Sequence, residues 1–102
     1  MKGYKAFEKG MVCLGFQYVE GKTFEHKGRI IPCSTGFHFC ENPLDVLNYY
    51  PLVDLNGDLS EFGEVEALGE TKTVGNNSVT NQLRIDAKLD LSRLIKASFE
   101  FL

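Results

Sequence analysis

Residues 36–50, GFHFCENPLDVLNYY, carry the clearest local signal in the chain. Phe37 to Cys40 reads as a strand, entered through the turn Ser34-Thr35-Gly36. Asn42 is a helix-capping residue, Pro43 suits the first helical position, and Asp45 puts negative charge near the positive end of the helix. Leu44, Leu47 and Asn48 share one face, with Val46, Tyr49 and Tyr50 close by, and Pro51 stops the helix after about two turns. A strand leading into a short capped helix is the unit around which the rest of the chain is read.

Toward the N-terminus the pattern is strand and turn. Residues 2–7 (KGYKAF) suit a first strand, closed by the turn Glu8-Lys9-Gly10. Residues 12–18 read as a strand interrupted at Gly15, and residues 22–27 as a short strand between Gly21 and Gly28. Residues 29–33 follow, with Pro32 confining them to an edge or a strand end. Toward the C-terminus, residues 52–62 read as a loop. Residues 64–71 set Val65 and Ala67 against glutamates, as a half-exposed strand does, and Gly75-Asn76-Asn77 is a turn. Residues 78–86 align Val79, Asn81, Leu83 and Ile85 on one face of a single strand. Asp90 caps a helix whose apolar face is Leu91, Leu94 and Ile95, and the alternation Phe99, Phe101 predicts a last strand. The sum is an α+β domain, a mostly antiparallel sheet with two short helices.

Size and charge bound the function. The 102 residues make one domain, residues 1–102, able to bury a core without metal or disulfide staples. Net charge is −3 and no basic stripe exists to neutralise phosphates, which argues against a duplex nucleic acid as partner. Asp54, Asp58, Glu61, Glu64, Glu66 and Glu70 follow one another without a basic interruption. Such a run ordinarily just solvates a surface; read sharply, it is an acidic face for a basic partner. No apolar leader and no apolar run of about 18 residues appears, so no membrane partner is expected. An odd set of cysteines, Cys13, Cys33 and Cys40, is read as reduced thiols in a cytoplasm.

Few residues form chemical constellations. Cys13, Cys33, His38 and Cys40 offer four zinc-type ligands, and His38 and Cys40 project about 7 Å apart from one strand face. Their spacing matches no standard zinc set, and buried cysteine is commonly a small hydrophobe, so no metal is assigned. A Cys–His nucleophile would need an approach the sequence does not show. The stretch Asp54-Leu55-Asn56-Gly57-Asp58 puts glycine at the fourth place instead of the sixth of a calcium loop, and local Asx-turn chemistry accounts for it. No phosphate-cradling glycine motif occurs. Most of the eight Phe and four Tyr belong to a core, but adjacent Tyr49 and Tyr50 cannot share a helix face, so one lies nearer the surface, where it can stack on a ring.

Three stretches in order resemble the ADP-ribosyltransferase fold, particularly its poly(ADP-ribose) polymerase branch: residues 36–49, residues 63–69 (GEVEALG) and residues 81–101, with Tyr4-Lys5-Ala6-Phe7 where that fold places its first nicotinamide-site motif. The resemblance covers about half the chain and implies a minimal ADP-ribosyltransferase-like core. It also implies a pocket for NAD or ADP-ribose, with functional positions on Lys5, His38 and Gln82 and with Tyr49 beside them. The family expects histidine or arginine, tyrosine and glutamate there. Lys5 keeps a cation without the guanidinium fork. Gln82 supplies no charge against the cation that develops as nicotinamide leaves, so a binding remnant is expected rather than an efficient transferase. The combination YKAF, GFQY, GKTFE and GFHFCENPLDVLNYY also resembles a small domain of unknown function common in bacteriophage and prophage proteins. That resemblance covers most of the chain and implies a setting in the cytoplasm of a bacterial host, with no activity attached.

Three functions follow as expectations. One is a non-catalytic nucleotide-binding module using Lys5, His38, Tyr49 and Gln82. Another is an inhibitor of a host defence protein that acts through Asp54, Asp58, Glu61, Glu64 and Glu66. The third is an active ADP-ribosyltransferase.

Overall fold

The computed structural model describes residues 1–32 and 34–102. The elements are β1 (Lys2–Phe7), β2 (Val12–Cys13), β3 (Phe16–Gln17), β4 (Thr23–Glu25), β5 (Phe37–Phe39), a short 3-10 helix (Pro43–Asn48), β6 (Glu61–Ala67), β7 (Thr71–Val74), β8 (Asn77–Thr80), β9 (Gln82–Leu89) and α1 (Leu91–Phe101). All strand pairings among them are antiparallel. One sheet has the order β1-β6-β9-β4, another β5-β8-β7, and β2-β3 is a hairpin of its own. The architecture is thus a small α+β domain of mostly antiparallel sheets with a C-terminal helix.

β1 joins the two larger sheets. It pairs with β6 along its length, and on its other edge Tyr4 and Cys40 exchange two backbone hydrogen bonds of 2.7 and 2.8 Å. Side chains alternate across a strand, so β1 feeds two separate cores. Tyr4 and Ala6 pack with Cys40, Val46, Phe62 and Leu94 beneath the helices. Phe7 packs on the other side with Tyr18, Phe37, Phe39, Leu83 and Ile85. Lys5 shares the Phe7 side and is drawn into this largely aromatic core.

Several expected elements differ in the structure. The expected strand 12–18 is a two-residue hairpin, since Leu14 and Gly15 both adopt positive φ (51° and 77°) and the chain reverses there. The expected edge strand at 29–33 is replaced by an isolated Ile31–Thr35 bridge, with Cys33 outside the described residues. The expected single strand 78–86 is two strands in different sheets, broken at Asn81. There the Asn81 amide and the Thr80 hydroxyl both bond Glu70 O (3.2 and 2.8 Å), while Asn81 O accepts from His26 N. The helix after Asn42 forms as a 3-10 helix, and the Asn42 side chain accepts from Leu44 N as expected. The expected last strand is absent. α1 runs on to Phe101, capped by Asp90 Oδ1 on Arg93 N (2.8 Å) and seated by the fully buried Leu94. No Gly or Pro interrupts residues 91–101, so nothing stops the helix earlier.

Gly3 is where the seam is tightest. A Cβ added there would stand 2.3 Å from the Phe39 ring and 2.9 Å from the Cys40 carbonyl oxygen. Gly3→Ala is therefore expected to cost about 1–3 kcal/mol through overpacking, read from urea denaturation. An unchanged midpoint would show that β1 is not seated on β5 as described.

Candidate functional site

A cleft of about 730 Å³ opens where β1, the β2-β3 hairpin, β5 and the short helix meet. Its lining includes Lys5, Cys13 and Cys40, all buried, and half-buried His38. The walls are aromatic. Phe16 and Tyr18 come from the hairpin, Phe37 from β5, and Tyr49 and Tyr50 from the end of the short helix. Ring centroids run 4.7 Å from Phe16 to Tyr18 and 5.8 Å from Phe16 to Phe37, both tilted or edge-on. Exposed Glu25 and Lys27 and half-buried His26 also line it.

Lys5 is the unusual group. It is only 5% exposed and no carboxylate pairs with it among the described residues. Its Nζ donates to His38 O (2.5 Å) and hydrogen-bonds the Cys13 side chain. It also stands 5.2 Å from the Tyr18 ring centroid, within cation–π range. Burial pushes its ammonium down from the usual lysine value, and Cys13 only partly opposes this.

His38 lies beside it, with its ring Nε2 buried and without a hydrogen-bond partner among the described residues. Burial, and then the neighbouring Lys5 charge, push His38 below the usual imidazole value. Tyr50 donates its hydroxyl to Cys13 Sγ (3.2 Å), and burial raises the Tyr50 phenol. Burial likewise pushes the Cys40 thiol up to about 11, leaving it protonated at neutral pH and unsuited to nucleophilic attack.

The cleft brings together Lys5, His38 and Tyr49 of the four expected ligand residues. Tyr49 is the outer of the two adjacent tyrosines and donates to Asn76 Oδ1 (2.5 Å). Gln82 does not line the cleft. It pairs with Glu25 across β9 and β4, and the strand period turns it away from the core that takes Leu83 and Ile85. Phe16 and Tyr18 were not singled out in the sequence as site residues, while Cys13 figured only in the zinc combination and Tyr50 only as the alternative to Tyr49. The signal available for the first three was the turn at Gly15, which folds Cys13 back against Phe16.

Four members of the acidic run meet a cation of the same chain. Lys9 meets Asp58 (3.5 Å), Lys88 meets Glu61 (3.3 Å), Lys2 meets Glu64 (2.9 Å) and the Met1 amino group meets Glu66 (2.7 Å). Asp54 Oδ1 accepts from the amides of Asn56 and Asp58, both at 2.9 Å, which is the expected Asx-type turn. No three described His, Cys, Asp or Glu side chains are grouped to hold a metal; Cys33 of the zinc combination lies outside the described residues. No helix among the described residues is long and apolar enough to cross a membrane.

The model of a domain of unknown function, DUF7666, matches residues 1–97. The chain belongs to this family. No curated protein and no solved structure matches it. Nothing in these comparisons shows an ADP-ribosyltransferase relationship or a phage origin. The matched span of this DUF7666 domain includes every strand and every residue that lines the cleft.

The depressed His38 pKa has a signed consequence for stability. Above about pH 6.5 neither folded nor unfolded chain holds this proton, and His38 leaves stability unaffected. Below that pH the unfolded chain takes the proton first, so stability falls until the lower folded pKa is passed. An imidazole NMR titration should place His38 below about 6.5. A value at or above it would mean that the ring is solvated.

Proposed function

We propose that this DUF7666 domain is a non-catalytic binding module whose cleft takes a nucleotide of the NAD or ADP-ribose type. The observation that carries the reading is Lys5, a buried amine with no carboxylate partner, inside an aromatic-walled cleft. An ammonium taken out of water without an opposite charge costs several kcal/mol, so the site favours a ligand that brings an anion to it. The aromatic walls suit a flat base or a nicotinamide ring, and unpartnered His38 Nε2 offers it a polar contact. The volume falls within the range of small-molecule sites, roughly 300–1,000 Å³.

Binding is favoured over transfer because no buried acid faces the cleft. Gln82 is neutral and lies outside the lining, and Glu25 and Glu8, which do line it, are exposed to water. A hydrated carboxylate stabilises a developing cation far less than a buried one. The acidic run supports the host-inhibitor reading less well, because Asp58, Glu61, Glu64 and Glu66 already meet cations of the same chain. The likeness to phage-associated domains extends the proposal to an accessory role in the cytoplasm of a bacterial host.

A thermal-shift series with NAD, ADP-ribose, nicotinamide and cyclic nucleotides tests the reading. A ligand at about 100 times its Kd stabilises by about 2.7 kcal/mol, a shift of roughly ten degrees or more for a domain of this size. His38→Ala and Lys5→Met should abolish the shift while leaving the free protein's Tm within a few degrees. For Lys5 the reason is that an apolar chain replacing an unpaired buried amine is near neutral for stability. A flat response to every nucleotide would overturn the proposal.

A further inference from the structure

We propose that Lys5 captures its ligand covalently, its ε-amine forming an imine with an aldehyde such as the reducing-end ribose of ADP-ribose. The inference rests on the nucleotide reading of the same cleft and goes beyond it by naming a bond. A lysine whose neutral form is favoured is the side chain that condenses with a carbonyl, and the burial of Lys5 in the cleft wall, with no carboxylate beside it among the described residues, works in that direction. Its neighbours are a backbone carbonyl, a thiol and the Tyr18 ring. By contrast Lys2, Lys9 and Lys88 each meet a carboxylate at the surface. Burial favours the neutral amine, and Lys5 lines the cleft together with Cys13, Tyr18 and His38.

The chemistry balances without an added oxidant or reductant. The nitrogen lone pair attacks the aldehyde carbon, and the carbonyl π-electrons move to oxygen, which takes up a proton. The resulting carbinolamine loses water as the carbon–nitrogen double bond forms. The aldehyde oxygen leaves in that water, the amine gives up its two hydrogens, and no atom changes its overall oxidation level. ADP-ribose meets the requirement because its terminal ribose opens to an aldehyde. NAD does not, since its second ribose is held closed by the bond to nicotinamide.

The test uses the full chain with ADP-ribose and cyanoborohydride at neutral pH, which reduces any imine to a stable secondary amine. Intact mass and peptide mapping then locate the adduct. The expected result is one adduct per chain at Lys5, with every other lysine labelled to a clearly lesser extent. NAD should give none, and Lys5→Met and Lys5→Arg should lose it. Adducts spread over exposed lysines with Lys5 unmodified would overturn the proposal, and the wild-type map decides this even if neither variant folds. Thermal stabilisation by NAD without a Lys5 adduct would sink the imine and leave the binding reading standing. A Lys5 adduct together with a flat thermal response to every nucleotide would sink the binding reading and leave the imine standing.

Discussion

β1 is hydrogen-bonded along both edges, to β6 on one side and through the Tyr4–Cys40 pair to the end of β5 on the other. This double pairing fixes its register. A slip of one residue would exchange its two faces, moving Tyr4 and Ala6 out of one core and Phe7 out of the other. The same constraint places Lys5. Set between Tyr4 and Ala6 and sharing the Phe7 side, it is held in the cleft wall, and only a slip of that pairing would turn it to the opposite face. Gly3 belongs to this arrangement too, since only a residue without a side chain lets β1 approach the Phe39 ring so closely.

A buried lysine at such a position is poor design for stability alone. Its hydrogen bonds to His38 O and Cys13, and the Tyr18 ring, return only part of the hydration it has lost. An apolar residue would fill the same space without that penalty. His38 repeats the pattern, as its Nε2 is buried with no partner among the described residues. Two under-satisfied polar groups side by side, in a cleft walled by rings, form a local conflict of the kind expected at a functional site. Such a site gives up some folded-state stability for a surface ready to receive a ligand.

How much of this could be read from the sequence depended on how local the determining forces are. Asn42, Pro43 and Asp90 act on their own helix ends, and both helix starts stand where those residues put them. The break at Asn81 was hidden because Val79, Leu83 and Ile85 do all face inward, so the alternation runs on through it. What breaks the strand is distant, the carbonyl of Glu70 taking bonds from Thr80 and Asn81. At the C-terminus, Phe99 and Phe101 fit a strand period by spacing alone, but Leu94 and Ala97 anchor a helix that carries them outward. Lys5, His38 and Tyr49 were readable as candidates. Their aromatic setting was not, because Leu14 takes a positive φ that only the folded hairpin makes visible.

That hairpin decides what the cleft can do. Without the reversal at Leu14-Gly15, Phe16 and Tyr18 would not stand across from Phe37, and Cys13 would not reach Lys5 and Tyr50. Residues from four parts of the chain therefore converge on one amine, and none of them is a buried carboxylate. A site built to stabilise a departing cation needs such an acid close to the reacting bond. A site built to hold an anion, or to offer a neutral amine to a carbonyl, needs its absence. The missing acid that weakens the transferase reading is thus the same feature on which the binding proposal rests at Lys5.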